Sequence, residues 1–258
     1  MNPVSPIAVV DVGNTSTKVA TLREDELQVR SFSYQKDGWS QLAIRYPASV
    51  HDAPIRHWRI ASVNKNRSAE LETCILDENP NALIHRVGHH DVPMKTSVDH
   101  PEMLGIDRLL SGYMAAKCFD TPLIVVSFGT AVTVDWVNSD KIFCGGLIIP
   151  GIQLQADSLA LGAEALPKIQ WTGEDDLFIP AKNTESAIRS GILLGLASAI
   201  DGLVHRFAEQ NQTTPEQINI VITGGNATAI TTHLRITHQI APNLVCQALM
   251  ELPVVEQA

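Results

Sequence analysis

Cysteine is scarce in this chain and never paired: Cys74, Cys118, Cys144 and Cys246 stand singly, with no Cys-x-x-Cys. That argues against a disulfide framework or a thiolate zinc site, and for reduced thiols in a cytoplasmic protein. Basic charge is short as well. The 19 Lys and Arg face 28 Asp and Glu, a net charge of −9, and the isoelectric point is near 5.4. The basic face of a nucleic-acid binder is therefore not expected. A small anion is still within reach, because a few local donors can hold a phosphate in an acidic protein. No basic stretch leads into an apolar N-terminal core, so no signal peptide is expected. The longest apolar run, Gly191–Val204, is interrupted by Ser198, Asp201 and Gly202 and falls short of a membrane span. Neither G-x-x-x-x-G-K-[ST] nor G-x-G-x-x-G occurs, which removes two common glycine-rich nucleotide loops.

What is present is a 258-residue chain, 45% hydrophobic and 18% charged, without a low-complexity tract or flexible linker. That length suits one large domain or two of about 100–150 residues. "IAVVDVGNTSTKVATL" (Ile7–Leu22) reads as an apolar strand ending in Asp11, a tight Gly-Asn-Thr turn and a returning strand. The pattern recurs: "VVDVGNTSTKV" (Val9–Val19) aligns with "VVSFGTAVTVD" (Val125–Asp135). In the first half a strand over His57–Val63 and a helix over Leu104–Phe119 follow; Ile106, Leu109, Leu110, Tyr113 and Met114 recur at helical spacing. In the second, Lys141–Gly151 reads as a strand broken by a glycine pair, and Ile218–Gly225 as a buried strand. Between them a helix from about Glu185 to Glu209 carries the stripe Ile188, Ile192, Leu196, Ile200, Leu203 and Phe207. The pattern predicts a mixed α/β (α+β) protein of two similar domains, 1–119 and 120–258, facing a central cleft. The loop Leu166–Asn183, with Pro167, Gly173 and Pro180, is expected to be exposed.

Three small-residue turns follow apolar strands, at Asp11–Thr15, Phe128–Ala131 and Thr223–Asn226. Brought together, their amides and hydroxyls would cradle a polyphosphate. Asp11 would hold Mg²⁺ directly or through water, and Lys18 would neutralise phosphate charge. Gly105–Arg108 is either an ordinary helix start, where the dipole favours Asp107, or a carboxylate base beside an arginine that grips an anionic substrate. "HRVGHHD" sets His85 and His89 four apart, a spacing for a metal on a helix, but Gly88 intervenes and no third ligand is evident. A solvated turn is the better reading there.

The motifs fall in a telling order: Asp-x-Gly-Asn-Thr-x-x-Lys (Asp11–Lys18), Gly-x-Asp-Arg (Gly105–Arg108), Gly-Thr-Ala (Gly129–Ala131), "GGLIIPG" (Gly145–Gly151), Asn183-Thr184 before a helix, and Thr-Gly-Gly (Thr223–Gly225). Together they resemble the type III pantothenate kinases of the actin-like and sugar-kinase-like ATPase superfamily, over nearly the whole chain. The resemblance implies two ribonuclease-H-like, actin-like domains and ATP-dependent phosphorylation of pantothenate, the first step towards coenzyme A. It places ATP and its phosphates on Asp11, Val12, Gly13, Asn14, Thr15, Ser16, Thr17, Lys18 and Thr130. It places pantothenate on Gly105, Ile106, Asp107 and Arg108, with Asp107 as the base and Arg108 near the carboxylate. Thr184, from the neighbouring subunit of a homodimer, would reach pantothenate, and His100 stands near a substrate-contacting tyrosine of the family. Ser127 replaces the aspartate that resembles a ligand for potassium or ammonium, and a neutral hydroxyl is a weaker ligand. A kinase-like regulatory or accessory protein of low activity is the alternative reading, and Ser127 is its support. The long helix also sets Gly191, Gly195, Ser198 and Gly202 near one face. Each glycine costs roughly 1 kcal/mol of helix stability, a cost that close packing against the protein's own sheet or a second copy would offset.

Overall fold

The computed structural model describes residues 7–34, 49–50, 53–171 and 177–253. The chain divides into two compact units, one of Met1–Met94, Asp99–Met114 and Asn243–Ala258, the other of Lys95–Val98 and Ala115–Pro242. The first unit holds a sheet of β1 (Ile7–Val12), β2 (Ser16–Arg23), β3 (Glu26–Ser33), β6 (His57–Ser62) and β7 (Leu83–Arg86), in the order β3-β2-β1-β6-β7. A two-stranded ladder of β4 (Ser49–Val50) and β5 (Ala53–Pro54) is separate. β1 lies antiparallel to β2 and parallel to β6. A strand in the middle of a covered sheet buries both faces, which is why β1 is a continuous apolar run rather than an alternating one: Ala8, Val9, Val10 and Val12 are fully buried. Helix α1 (Lys65–Glu78) is capped by the Asn64 side chain, which accepts the Arg67 N–H at 3.1 Å, and its Leu71 and Ile75 join Val10, Trp58 and Ile60 in the core.

The second unit repeats this plan. Strands β8 (Leu123–Phe128), β9 (Ala131–Val137) and β10 (Phe143–Pro150) form an antiparallel meander, and β11 (Asn219–Thr223) and β12 (Gln239–Ile240) lie parallel to β8, in the order β10-β9-β8-β11-β12. Two meanders followed by parallel strands, in matching order, bear out the two-fold repeat. The glycine pair in β10 falls where the register shifts, between Phe143 and Gly146. Helix α2 (Ile106–Cys118) follows the Gly-x-Asp-Arg motif, and α3 (Ile152–Gly162), α4 (Thr184–Gln210) and the short α5 (Ala227–Thr231) belong to the second unit. The last helix, α6 (Leu244–Glu251), returns to the first unit and packs on β1, β2 and β6.

Helix α4 is long and apolar enough to cross a membrane by length and composition alone, but its apolar stripe is spent inside the second unit. Ile188, Ile192, Leu196, Ile200, Val204 and Ala208 bury there. Val204 and Ala208 are the buried residues at the end of the stripe, in place of the expected Leu203 and Phe207. Leu203 and Phe207 lie at its edge, Phe207 stacked on Trp136 with ring centroids 6.0 Å apart. Gly191, Gly195, Ser198 and Gly202 are exposed, and a Cβ on any of the three glycines would meet nothing within 4 Å. The small-residue face is therefore not packed against the protein's own sheet. In the loop before α4, Phe178–Pro180 is exposed as expected, whereas Ile169 is buried, its carbonyl taking a hydrogen bond from Gln153. Gly173 lies outside the described residues.

Candidate active site

The β1–β2 hairpin turns on Gly13, Asn14 and Thr15, closed by the Gly13 N–H donating to the Ser16 carbonyl at 3.0 Å. Asp11 sits one residue before the strand end and pairs directly with Lys18 across the hairpin. Directly paired residues project to the same face, so carboxylate and ammonium share a face. Alternation sends Val12 and Thr17 into the interior, where both are fully buried. The phenol of Tyr34 donates its single hydrogen to the Gly13 carbonyl at 3.1 Å. In the 2.6 Å contact between Tyr34 and Thr17, the Thr17 hydroxyl is therefore the donor. Thr17 and Tyr34 thus shape the turn from beneath, while Asn14 and Thr15 are exposed at its tip. Asn64 reaches the same tip, its amide 3.4 Å from the Asn14 side-chain oxygen. Neither Tyr34 nor Asn64 was marked by the sequence, since each lies outside the motif and meets it only through the fold.

The Gly-x-Asp-Arg segment opens α2. The Gly105 carbonyl accepts from the Arg108 and Leu109 amides at 3.1 and 3.2 Å, Ile106 is buried, and Asp107 and Arg108 are half-buried. A Cβ on Gly105 would stand 2.6 Å from Asp107 Oδ1, so a side chain there would have to displace that carboxylate. Burial raises the Asp107 carboxyl above its ordinary value, opposed by the Arg108 and Asp107 amides and the Arg108 charge. Asp11 is pushed up to about 6, first by burial, then by the charge of Asp107, with Lys18 opposing. The two carboxylates, 96 positions apart in sequence, thus feel one another within the first unit. Cys246, on α6, is buried: burial first, then the Asp11 charge, push its thiol up to about 12, with Lys18 opposing, which keeps it out of the thiolate form a nucleophile needs.

In the second unit the structure brings together two of the three predicted turns. Ser127 is the penultimate residue of β8, the position Asp11 holds in β1, and Gly129 N–H donates to Ala131 O at 3.0 Å as Gly13 does to Ser16. Thr223 pairs with Ser127, and the Asn226 N–H donates to the Phe128 carbonyl at 3.2 Å. Gly224 is required here on two counts, a φ of +101° and a Cβ position only 2.3 Å from the Phe128 oxygen. Gly129 and Thr130 are exposed, and the Gly151 N–H donates to the Thr130 carbonyl at 3.0 Å. Asp135 is a buried carboxylate that the sequence reading passed over; it accepts from the Thr133 hydroxyl at 2.9 Å, and Thr133 pairs with Ser127.

Thr184 is exposed at the first position of α4, where the Asn183 side chain caps the helix through the Ser186 N–H at 2.8 Å. His100 is exposed before the turn Pro101–Met103, with Nδ1 3.4 Å from a Glu102 carboxylate oxygen. A cavity of about 580 Å³ in the second unit, lined by Asp201, His205, Arg235 and His238 among others, includes none of the predicted site residues. The pair His85 and His89 does not lie on a helix: His85 is on β7 and His89 opens a 3-10 turn. Among the described residues no group of three or more His, Cys, Asp or Glu is placed to hold a metal ion.

The sequence profile of a family described as type III pantothenate kinase matches residues 7–206. A type III pantothenate kinase of Rhodopirellula baltica is 33% identical over 272 residues, covering 94% of this chain and 97% of that protein. One from Geobacillus thermodenitrificans is 31% identical over 255 residues, covering 94% and 95%. Among solved structures, a Campylobacter jejuni protein described as a conserved Baf family transcriptional activator superposes with a TM-score of 0.59 at 17% identity, over 95% of this chain and 96% of that one. A Sinorhizobium meliloti protein described as a 2-dehydro-3-deoxygalactonokinase gives 0.52 at 14% identity, over 95% and 96%. These two speak to the fold alone.

Proposed function

The chain belongs to the type III pantothenate kinase family, and from that premise we propose how its own residues carry the ATP-dependent phosphorylation of pantothenate that feeds coenzyme A biosynthesis. Asp107 takes the proton from the pantothenate hydroxyl as that oxygen attacks the terminal phosphorus of ATP. Arg108, the next residue, holds the substrate carboxylate, a pairing that suits a guanidinium fork. One observation carries this reading: a carboxyl raised by burial stands in the first turn of a helix beside an arginine. A raised value brings a base nearer to the operating pH, where it is most effective.

The β1–β2 turn takes the phosphates of ATP, and Lys18 offsets their charge. The donor set beside it fits Mg²⁺, a cation that prefers oxygen ligands and keeps several waters: Asp11 offers a carboxylate at the half-buried strand end. Bound there, Mg²⁺ would neutralise phosphate charge. Thr130, exposed on the equivalent turn of the second unit, belongs to the ATP site. Ser127 offers potassium or ammonium only a neutral oxygen.

The protein acts as a cytoplasmic homodimer through the exposed face Gly191, Gly195, Ser198 and Gly202, whose bare backbone is open to close approach. Thr184 then reaches pantothenate in the partner subunit. The test is direct: purified protein with ATP, Mg²⁺ and pantothenate, assayed for 4'-phosphopantothenate with and without potassium or ammonium. No product under any of these conditions overturns the reading.

A further inference from the structure

The segment Gly88-His89-His90-Asp91 has no part in the chemistry above, yet it is built with care. Its turn is closed by the Asp91 N–H donating to Gly88 O at 3.1 Å and Val92 N–H to His89 O at 3.3 Å. The Asp91 side chain is only 5% exposed. Its Oδ2 accepts the Gly88 N–H at 2.7 Å and lies 3.1 Å from His85 Nε2, while Oδ1 lies 3.5 Å from His90 Nε2. The charge of Asp91 also offsets the burial of Arg59. Val87 and Val92 are buried on either side of the turn. So fixed, His89 places Nε2 2.6 Å from the carbonyl oxygen of Leu104. A carbonyl only accepts, so Nε2 carries the hydrogen.

Leu104 is the residue before Gly105. Its own N–H donates to Pro101 O at 3.2 Å and its side chain is 8% exposed. His89 therefore holds the second backbone polar group of Leu104, the carbonyl of the peptide that enters the Gly-x-Asp-Arg turn. Gly105 in turn abuts the Asp107 carboxylate, with 2.6 Å between its Cβ position and Oδ1. Rotation of the Leu104–Gly105 peptide would move the wall against which that carboxylate rests.

We propose that His89, held by the Asp91 turn, is a positioning residue for Asp107, acting through the hydrogen bond to the Leu104 carbonyl. The proposal rests on the reading of Asp107 as the base. It predicts dependence on a donor at position 89, not on an imidazole, and an effect confined to pantothenate. His89→Gln and His89→Glu are close in shape, but only the amide donates. We expect His89→Gln to keep kcat/KM for pantothenate within a few-fold of the parent. His89→Glu and His89→Ala should lose roughly ten- to hundred-fold, the scale of a small misplacement of a reacting group, with the KM for ATP unchanged. If His89→Gln and His89→Glu behave alike, or the KM for ATP shifts with the rest, the proposal is overturned. Asp107→Asn in the same assay separates the two readings: full turnover there sinks Asp107 as the base, whatever position 89 does.

Discussion

Gly105 and Asp107 are fitted so closely that a methyl group on the glycine would stand 2.6 Å from the carboxylate oxygen Oδ1. The atom in the way is the end of a side chain that can swing aside, so Gly105→Ala displaces the carboxylate rather than the backbone. Alanine before a first helical turn costs about 1 kcal/mol against glycine, a few degrees in unfolding temperature. Turnover should fall far more, by roughly ten- to hundred-fold. Thermal unfolding and steady-state kinetics on one preparation check the split; equal, mild losses in both would disprove it.

Asp107→Asn removes the proposed base but keeps the shape. Removing a general base costs about 10²–10⁴-fold, so turnover should drop by that order while ATP still raises the unfolding temperature. Near-normal turnover would take Asp107 out of the mechanism.

A Mg²⁺ site at Asp11, as proposed, would be sensitive to pH. Its carboxyl is raised from 3.8 to about 6 by burial and the Asp107 charge, so the folded protein keeps a proton that the unfolded chain gives up. The stability this group contributes is present below 3.8 and is lost as the pH rises through about 6. Mg²⁺ competes with that proton. Mg-ATP should therefore raise the unfolding temperature more at about pH 8 than at about pH 5, and Asp11→Asn should abolish the difference. A shift of equal size at both values would place the metal elsewhere.

Much of this site was legible because its parts are local. The Gly-Asn-Thr hairpin, the Gly-x-Asp-Arg helix start and the capped start of α4 each lie within about one turn of structure, and propensity at that range is written in neighbouring residues. Contacts across the fold were not legible. Tyr34 meets Gly13 and Thr17, Asn64 meets Asn14, and His89 meets Leu104, each joined by the path of the chain and not by spacing. The motif also reads as one block, whereas strand alternation divides it. Val12, Thr17 and Ile106 face the core, while Asp11 and Lys18 share a face and Asn14 is exposed. The histidine pair reads from sequence as a solvated turn, whereas both rings are half-buried in the fold, His85 against Asp91 and His89 against the Leu104 carbonyl.

The proposed cation role of position 127 is open to a gain-of-charge test. Ser127→Asp restores a charged oxygen at the end of β8, and activity should then rise on adding potassium or ammonium by more than in the parent. Parent and variant responding alike would assign cation dependence to another position.

Assembly can be tested without touching the core. A Cβ at Gly195 meets nothing within 4 Å, so Gly195→Arg should fold normally yet sediment as a monomer at micromolar concentration. Mixing inactive Asp107→Asn and Thr184→Ala subunits should recover part of the activity if Thr184 serves the neighbour's site. A Gly195→Arg dimer, or no recovery on mixing, counts against the shared site.

Helix α6 carries a consequence for how the protein is made. It packs on β1, β2 and β6, and the buried Arg59 of β6 donates from Nη1 to the carbonyls of Leu249 and Leu252, each at 2.7 Å. On the ribosome, β1, β2 and β6 emerge long before their backing exists, with the Arg59 cation lacking those acceptors. A polypeptide that stops before Leu244 has already made every residue of the β1–β2 turn and of the Gly-x-Asp-Arg helix, and has α1 against β1, yet lacks the helix that packs on β1, β2 and β6. Until Leu244–Glu251 is made and docked, the first unit's sheet is open on the side that α6 covers.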